Sequence, residues 1–271
     1  LKLPELPEIE VTCRAIVPLM IRRVILNTRV YNVNLRYLLS DKIISLTNEY
    51  VIDVQRRAKF LLFQLYTGWI VGHFGISGYL KVLRYQQNPT KHCHLDFVMD
   101  NGYIIRYVDI RKFGFWIWKD DSYVKSLSAS LGIEPFDKEF SGSWLFEKSR
   151  NRHRLIKLWL MDSKVIAGIG NIYANESLFI SGILPDRLAS SLSKQEAFLL
   201  VKNIKQVLSD SIRCGGTTIR NFFQPDGKSG LFVEKIQVYG RKNKPCLICG
   251  NLIEFKILGG RSTFFCLQCQ S

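Results

Sequence analysis

Apolar and polar positions alternate in short bursts through the first half of the chain, from Ile43 to about Trp118, and then give way to spacings of three and four. A period of two belongs to strands with one packed face, and a period near 3.6 to helices. The clearest strand pair is HLDFVMDNGYIIRYVDI, residues 94–110. Its Asn101-Gly102 predicts a two-residue type I′ hairpin turn, in which both central positions take positive φ. Ahead of the strands, EIEVTCRAIVPLM, residues 8–20, predicts one helix. Turn residues in GIEPFD, residues 132–137, mark a boundary, beyond which the segments 152–183 and 193–213 carry helical spacing. The fold class expected is α+β: a mostly β half behind a leading helix, then a helical half that ends in a cysteine-rich stretch.

One stretch needs a membrane test. Phe60 to Leu80 contains no Asp, Glu, Lys or Arg and is long enough to span a bilayer. It carries four Gly, a Gln and a His, however, and its apolar halves meet at Thr67-Gly68, which predicts strand, turn and strand. The first residues also lack a basic segment followed by an apolar one. A soluble cytoplasmic protein without membrane contact is expected.

Composition changes the picture through charge. With 38 Lys+Arg against 23 Asp+Glu among 271 residues, the formal net charge is +15, spread along the chain. Solubility alone is served by a net of about 2 to 8, so the excess points to a polyanionic partner, nucleic acid ahead of an anionic membrane surface. A 47% hydrophobic content and five Trp exclude a disordered chain.

Seven cysteines divide unevenly. Cys13, Cys93 and Cys214 stand alone and read as buried thiols. Cys246, Cys249, Cys266 and Cys269 form C-x2-C-x16-C-x2-C, a spacing that brings four thiolates around one structural zinc. Disulfides are the alternative, disfavoured in a cytosolic setting. Four thiolates leave no open position, so a catalytic zinc is excluded. The PCxxC at Pro245 also suggests a zinc nucleobase deaminase, but that chemistry needs an HxE, and the chain has none.

AGIGNIYANE, residues 167–176, lacks the third glycine of a dinucleotide loop and reads as a glycine turn opening a helix at Asn171. Amides at such a start can bind phosphate; a plain helix-turn-helix corner accounts for the residues equally well.

Eight motifs together carry a resemblance: PELPEIE (4–10), QRRAKFLLF (55–63), GHFGISG (72–78), VDIRKFG (108–114), GIGNIYANESLF (168–179), GGTTIRNF (215–222), QVYGR (237–241) and RSTFFCLQCQ (261–270). In this order they resemble bacterial formamidopyrimidine-DNA glycosylase across nearly the whole chain. The resemblance implies an N-terminal catalytic β-sandwich domain (1–134), a helix-two-turns-helix DNA-binding domain with a lesion loop (135–230) and a zinc-finger β-hairpin (231–271). It implies a monomeric base-excision repair enzyme of the cytoplasm and nucleoid, acting on double-stranded DNA with oxidised bases or abasic sites.

The resemblance also implies residue roles. Pro4 would supply its nitrogen as nucleophile and Glu5 would move protons. An α-amine titrates near ~8 against ~10.4 for lysine, so far more of it is uncharged near neutrality. Lys59, Asn171 and Arg261 would grip phosphates around the lesion, with Lys157 and Glu8 near the active site; each cation, taken alone, also reads as solvated surface charge. Ile76, Arg111 and Phe113 would fill the void left by a flipped base. Position 76 is usually Met in the family, and Phe113 alone would read as core. Thr217, Thr218, Asn221 and Phe222 fall in the loop that would close over the base.

Three residues, LKL, precede Pro4, and a proline inside a chain offers only an amide nitrogen. Catalysis is therefore expected from a mature chain beginning at Pro4, with Leu3 read as a UUG start. Two alternatives stay open: an endonuclease VIII-type enzyme for oxidised pyrimidines, and a non-catalytic lesion binder.

Overall fold

The β half is organised by how its strands pair and by where the chain crosses between them. The computed structural model describes residues 4–217 and 230–271. The chain divides into two compact units, Leu1–Ser130 with Ser211–Val233, and Leu131–Asp210 with Glu234–Ser271. The first opens with α1 (Leu6–Met20), whose Ile9, Cys13, Ile16 and Met20 recur at helical spacing and enter the core. Then come β1 (Val24–Val30), the short α2 (Asp41–Ile44), β2 (Thr47–Arg57), β3 (Phe60–Leu65), β4 (Gly68–His73), β5 (Gly78–Leu83), β6 (Cys93–Met99), β7 (Ile104–Asp109), β8 (Phe115–Lys119) and α3 (Asp121–Ser130).

The eight strands form one antiparallel ladder in the order β5-β7-β6-β1-β2-β3-β4-β8. Strands far apart in that order nevertheless touch through their side chains. Phe97 of β6 meets Phe63 of β3 at 5.5 Å and Trp116 of β8 at 5.4 Å, and Tyr107 of β7 meets Trp116 at 5.5 Å. The ladder is therefore folded on itself into a β-sandwich, β5-β7-β6-β1 facing β2-β3-β4-β8, with these rings in between. All four side chains are fully buried, each worth roughly 1.5–3 kcal/mol of transfer free energy. The chain passes from one half to the other at residues 31–46, between β1 and β2, at 74–77, between β4 and β5, and at 110–114, between β7 and β8.

The β3–β4 hairpin turns at Tyr66-Thr67, with Leu65 paired to Gly68. Among the described residues no helix is long and apolar enough to cross a membrane. The β6–β7 connection departs from the expected type I′ turn. It is a wider loop, Asp100 to Tyr103, closed by the Met99 N–H donating to Tyr103 O at 2.9 Å, and of the Asn-Gly pair only Gly102 has positive φ, 82°. The reason lies in Asn101, whose Nδ2 donates to Leu19 O of α1 at 2.9 Å while its Oδ1 accepts from Tyr103 N. The side chain ties off the helix end, and the backbone conformation follows.

In the second unit, α4 (Gly142–Ser149), α5 (Ile156–Leu160), α6 (Asn171–Ile180) and α7 (Lys194–Arg213), whose last three residues are counted with the first, precede the hairpin β9 (Glu254–Leu258) and β10 (Arg261–Phe265). Gly170 is the N-cap of α6, so the helix starts at the residue that the glycine turn predicts. Phe179 of α6 enters a small core with Val238, Cys246, Ile253, Phe264 and Cys266.

Candidate active site

The acidic opening of the chain has a local structural cause before any chemical one. Pro4 and Glu5 are buried just ahead of α1, and the Glu5 N–H donates to the Glu8 carboxylate at 2.9 Å, one arm of a capping box. The other oxygen of Glu8 accepts from Thr217 N at 2.8 Å. One buried carboxylate thus joins the helix start behind Pro4 to the first residue of TTIRNF.

Lys59 sits in the two-residue turn between β2 and β3, where Arg57 pairs with Phe60. Its neighbour Ala58 takes φ 53°, a left-handed conformation that costs a non-glycine residue about 1–3 kcal/mol and must be held by its surroundings. Arg56 does part of this, donating from Nη1 to Ala58 O at 3.2 Å and from Nε to Glu10 at 2.6 Å. Burial acts to raise the Glu10 pKa, but the hydrogen bonds from Arg56 and Arg14 outweigh it and hold the carboxyl below its usual range. The Coulomb field of Lys59 also reaches His73, whose ring stacks on Phe115 at 5.5 Å. Gly75 N–H donates to His73 Nδ1 at 3.0 Å. Burial first, then Lys59 and Arg36, pulls that imidazole down to about 4.

Ile76, Arg111 and Phe113 lie on two of the crossovers. Ile76 is half-buried, Arg111 is exposed, and the Arg111 guanidinium lies 4.8 Å from the centre of the Phe113 ring. Phe113 is 41% exposed and stands outside the core.

Lys157, Asn171 and Arg261 gather in the second unit. The hairpin turns at Gly259-Gly260, both at positive φ (52° and 71°), which carries the chain directly into Arg261. Lys157, fully buried, donates from Nζ to Ser262 O at 2.8 Å and to Thr263 Oγ1 at 2.7 Å, and Asn171 Nδ2 donates to the same Ser262 carbonyl at 3.0 Å. Further along α6, Asn175 Oδ1 accepts from Phe264 N at 2.8 Å. The Glu176 carboxylate accepts from the backbone N–H groups of Gln237, Val238 and Tyr239 at 2.8 to 3.0 Å. Burial raises its pKa, against those three donors. The helix that begins at Asn171 therefore fixes both QVYGR and the Arg261 hairpin.

The four cysteines of the ribbon have sulfur atoms within 4.8 Å of one another, with Cys246 to Cys269 at 3.9 Å and Cys249 to Cys266 at 3.5 Å. A tetrahedral zinc with Zn–S near ~2.3 Å spaces its sulfurs about 3.8 Å apart, whereas a disulfide needs ~2.05 Å. The cluster fits one structural zinc and closes its coordination.

Of the residues singled out from sequence, Thr218, Asn221 and Phe222 lie outside the described residues. Sequence reasoning passed over His73, Asp109 and Glu176. Each stands inside a quoted motif, but its distinguishing feature is burial against groups distant in sequence.

Three family models match the chain: formamidopyrimidine-DNA glycosylase N-terminal domain over residues 3–116, formamidopyrimidine-DNA glycosylase H2TH domain over 131–223, and the zinc finger found in FPG and IleRS over 243–271. The formamidopyrimidine-DNA glycosylase of Sodalis glossinidius is 52% identical over 268 residues, 99% of this chain and 100% of that protein. Its counterpart in Yersinia pestis is likewise 52% identical over 268 residues, with the same coverage of both chains. Among solved structures, the MutM (FPG) protein of Thermus thermophilus superposes with a TM-score of 0.86 at 33% identity, covering 98% of each chain. Lactococcus lactis Fpg in complex with abasic-site DNA gives 0.89 at 28%, covering 99% of this chain and 100% of that one. Sandwich, helical module and four-cysteine hairpin agree with full-length matches in sequence and in structure, and the chain belongs to the formamidopyrimidine-DNA glycosylase family.

Proposed function

We propose that this protein excises oxidised purines, 8-oxoguanine and formamidopyrimidines above all, from duplex DNA and then cleaves the strand. The Pro4 nitrogen attacks C1′ of the damaged nucleotide, the glycosidic bond breaks and the base departs. The resulting iminium loses a proton from C2′, and the 3′ and then the 5′ phosphate leave by β- and δ-elimination, with Glu5 moving protons on the opening sugar. Lys59, Asn171 and Arg261 hold phosphates, Lys157 braces the hairpin that carries Arg261, and Ile76, Arg111 and Phe113 enter the void. Residues 1–134 carry the chemistry, 135–230 the DNA grip with Thr217, Thr218, Asn221 and Phe222 in the lesion loop, and 231–271 the zinc finger. The enzyme works as a monomer in the cytoplasm, on the nucleoid.

The observation that carries this reading is the buried Pro4-Glu5 pair at the start of α1. The positive end of a helix favours the neutral amine over the ammonium, which a nucleophile requires. Borohydride trapping on 8-oxoguanine duplex, with mass spectrometry of the adduct, is the test. A chain beginning at Pro4 forms a covalent link through that residue, and a chain retaining residues 1–3 forms none. A link through a lysine, or no link from the Pro4 chain, refutes the assignment and leaves a lesion binder.

A second substrate class has a specific observation behind it. A wild-type Lactococcus lactis FPG (MutM), 29% identical to this chain, is solved with DNA containing an oxidised pyrimidine. Comparing excision rates on the two lesion classes decides which one this chain prefers.

A further inference from the structure

The two crossovers that carry Ile76 and Arg111–Phe113 end on the same buried side chain. Asp109, the last residue of β7, is fully buried and accepts four hydrogen bonds. Its Oδ1 takes Ser77 Oγ at 2.5 Å and Arg111 N at 3.1 Å. Its Oδ2 takes Tyr107 Oη and Gly114 N, each at 2.9 Å. Ser77 Oγ in turn accepts from Arg111 N at 3.0 Å, and His94 Nε2 donates to the Asp109 carbonyl at 2.7 Å. The carboxylate therefore bonds residue 77 on one crossover and residues 111 and 114 on the other.

The crossovers are also in direct contact. A Cβ placed on Gly75 would lie 2.3 Å from the Phe113 backbone and 2.4 Å from Gly114 N. Gly75 and Lys112 both sit at positive φ, 63° and 56°. For Lys112 that conformation persists only where neighbouring bonds determine it, and Asp109 bonds the backbone on either side of it, at Arg111 and Gly114.

We propose that Asp109 is a positioning residue that locks the Ile76 turn and the Arg111–Gly114 turn into one rigid wedge, so that the apolar tip and the arginine enter the duplex together. The proposal rests on the void-filling reading of Ile76, Arg111 and Phe113 given above. Asparagine cannot replace the carboxylate, although it has the same shape. With its amide toward Gly114 a donor faces a donor, and flipped it faces the Arg111 N–H instead. Either way the Arg111–Gly114 turn loses one of its two bonds to residue 109, and an arginine misplaced by about 1 Å loses up to roughly 100-fold in the step it supports.

The test is a ratio measured on the zinc-loaded chain beginning at Pro4. The numerator is 8-oxoguanine excision from duplex; the denominator is cleavage of a preformed abasic site in single-stranded DNA, where there is no partner base to engage. Asp109→Asn lowers this ratio by roughly 100-fold and Ser77→Ala, which removes the hydroxyl's bonds to Asp109 and from Arg111 N but leaves the carboxylate in place, by about tenfold. Arg111→Ala is the control for the wedge itself. If Arg111→Ala lowers the ratio and Asp109→Asn leaves it unchanged, the clamp is wrong while the wedge stands. If Arg111→Ala leaves it unchanged, the wedge reading fails and the clamp with it. An equal fall in both activities for Asp109→Asn assigns the residue to folding alone; were that variant not to fold, an unchanged ratio in Ser77→Ala overturns the proposal.

Discussion

His73 has its charge fixed by its surroundings more firmly than its motif suggests. Its Nδ1 accepts the Gly75 N–H, so the ring proton resides on Nε2. Burial, Lys59 and Arg36 pull the folded-state pKa down to about 4 from 6.5. Between those values the unfolded chain binds a proton that the folded chain does not, so stability rises with pH through this window and is lost as pH falls through it. Nitrogen-15 NMR of the imidazoles is expected to find His73 neutral, with the proton on Nε2, from pH 8 down to about 4. A titration near 6.5 would mean that the ring is solvated and that Lys59 does not act on it. His73→Gln should flatten the acid side of the stability profile by about one proton.

At the scale of elements, local chemistry was legible where one stretch of chain decides the outcome. The Gly170-Asn171 turn opens α6, Thr67-Gly68 breaks the apolar run, and the four cysteines converge. It failed where a distant group decides. Asn101 gives its side chain to Leu19, 82 residues away, and the expected turn type is lost. Lys157 reads as a surface cation, yet its ammonium is bonded to a carbonyl 105 residues further on. Asp109 occupies an ordinary alternating position, and its four donors come from both crossovers and from its own strand. The zinc hairpin is where both kinds of information meet, since Asn171, Lys157 and Asn175 brace it while the metal closes it. Zinc binding is folding energy for such a ribbon. Stripping the metal with a thiol-reactive reagent and a chelator should therefore release the Arg261 turn and abolish tight binding to lesion duplex. The sandwich, which has its own aromatic core, should keep its near-ultraviolet circular dichroism. Retained duplex affinity in metal-free protein would separate the hairpin from DNA binding.

For the whole molecule, a net charge of +15 does something that the proposed wedge cannot. Each phosphate neutralised by a lysine or arginine releases counterions whatever the base sequence, so this part of the affinity is shared by damaged and undamaged duplex and falls with salt. The proposed wedge, by contrast, would act on base pairs and be indifferent to counterions. The two contributions separate in a plot of log affinity against log salt, recorded on lesion and undamaged DNA in parallel. Arg261→Ala and Lys59→Ala should weaken both duplexes alike and each make the slope shallower by about 1. Arg111→Ala and Asp109→Asn should leave the slope on undamaged DNA unchanged and reduce only the preference for the lesion. If Arg111→Ala shifts the slope as Arg261→Ala does, Arg111 is a phosphate contact, and the division between electrostatic capture and inspection of the base pair does not hold for this chain.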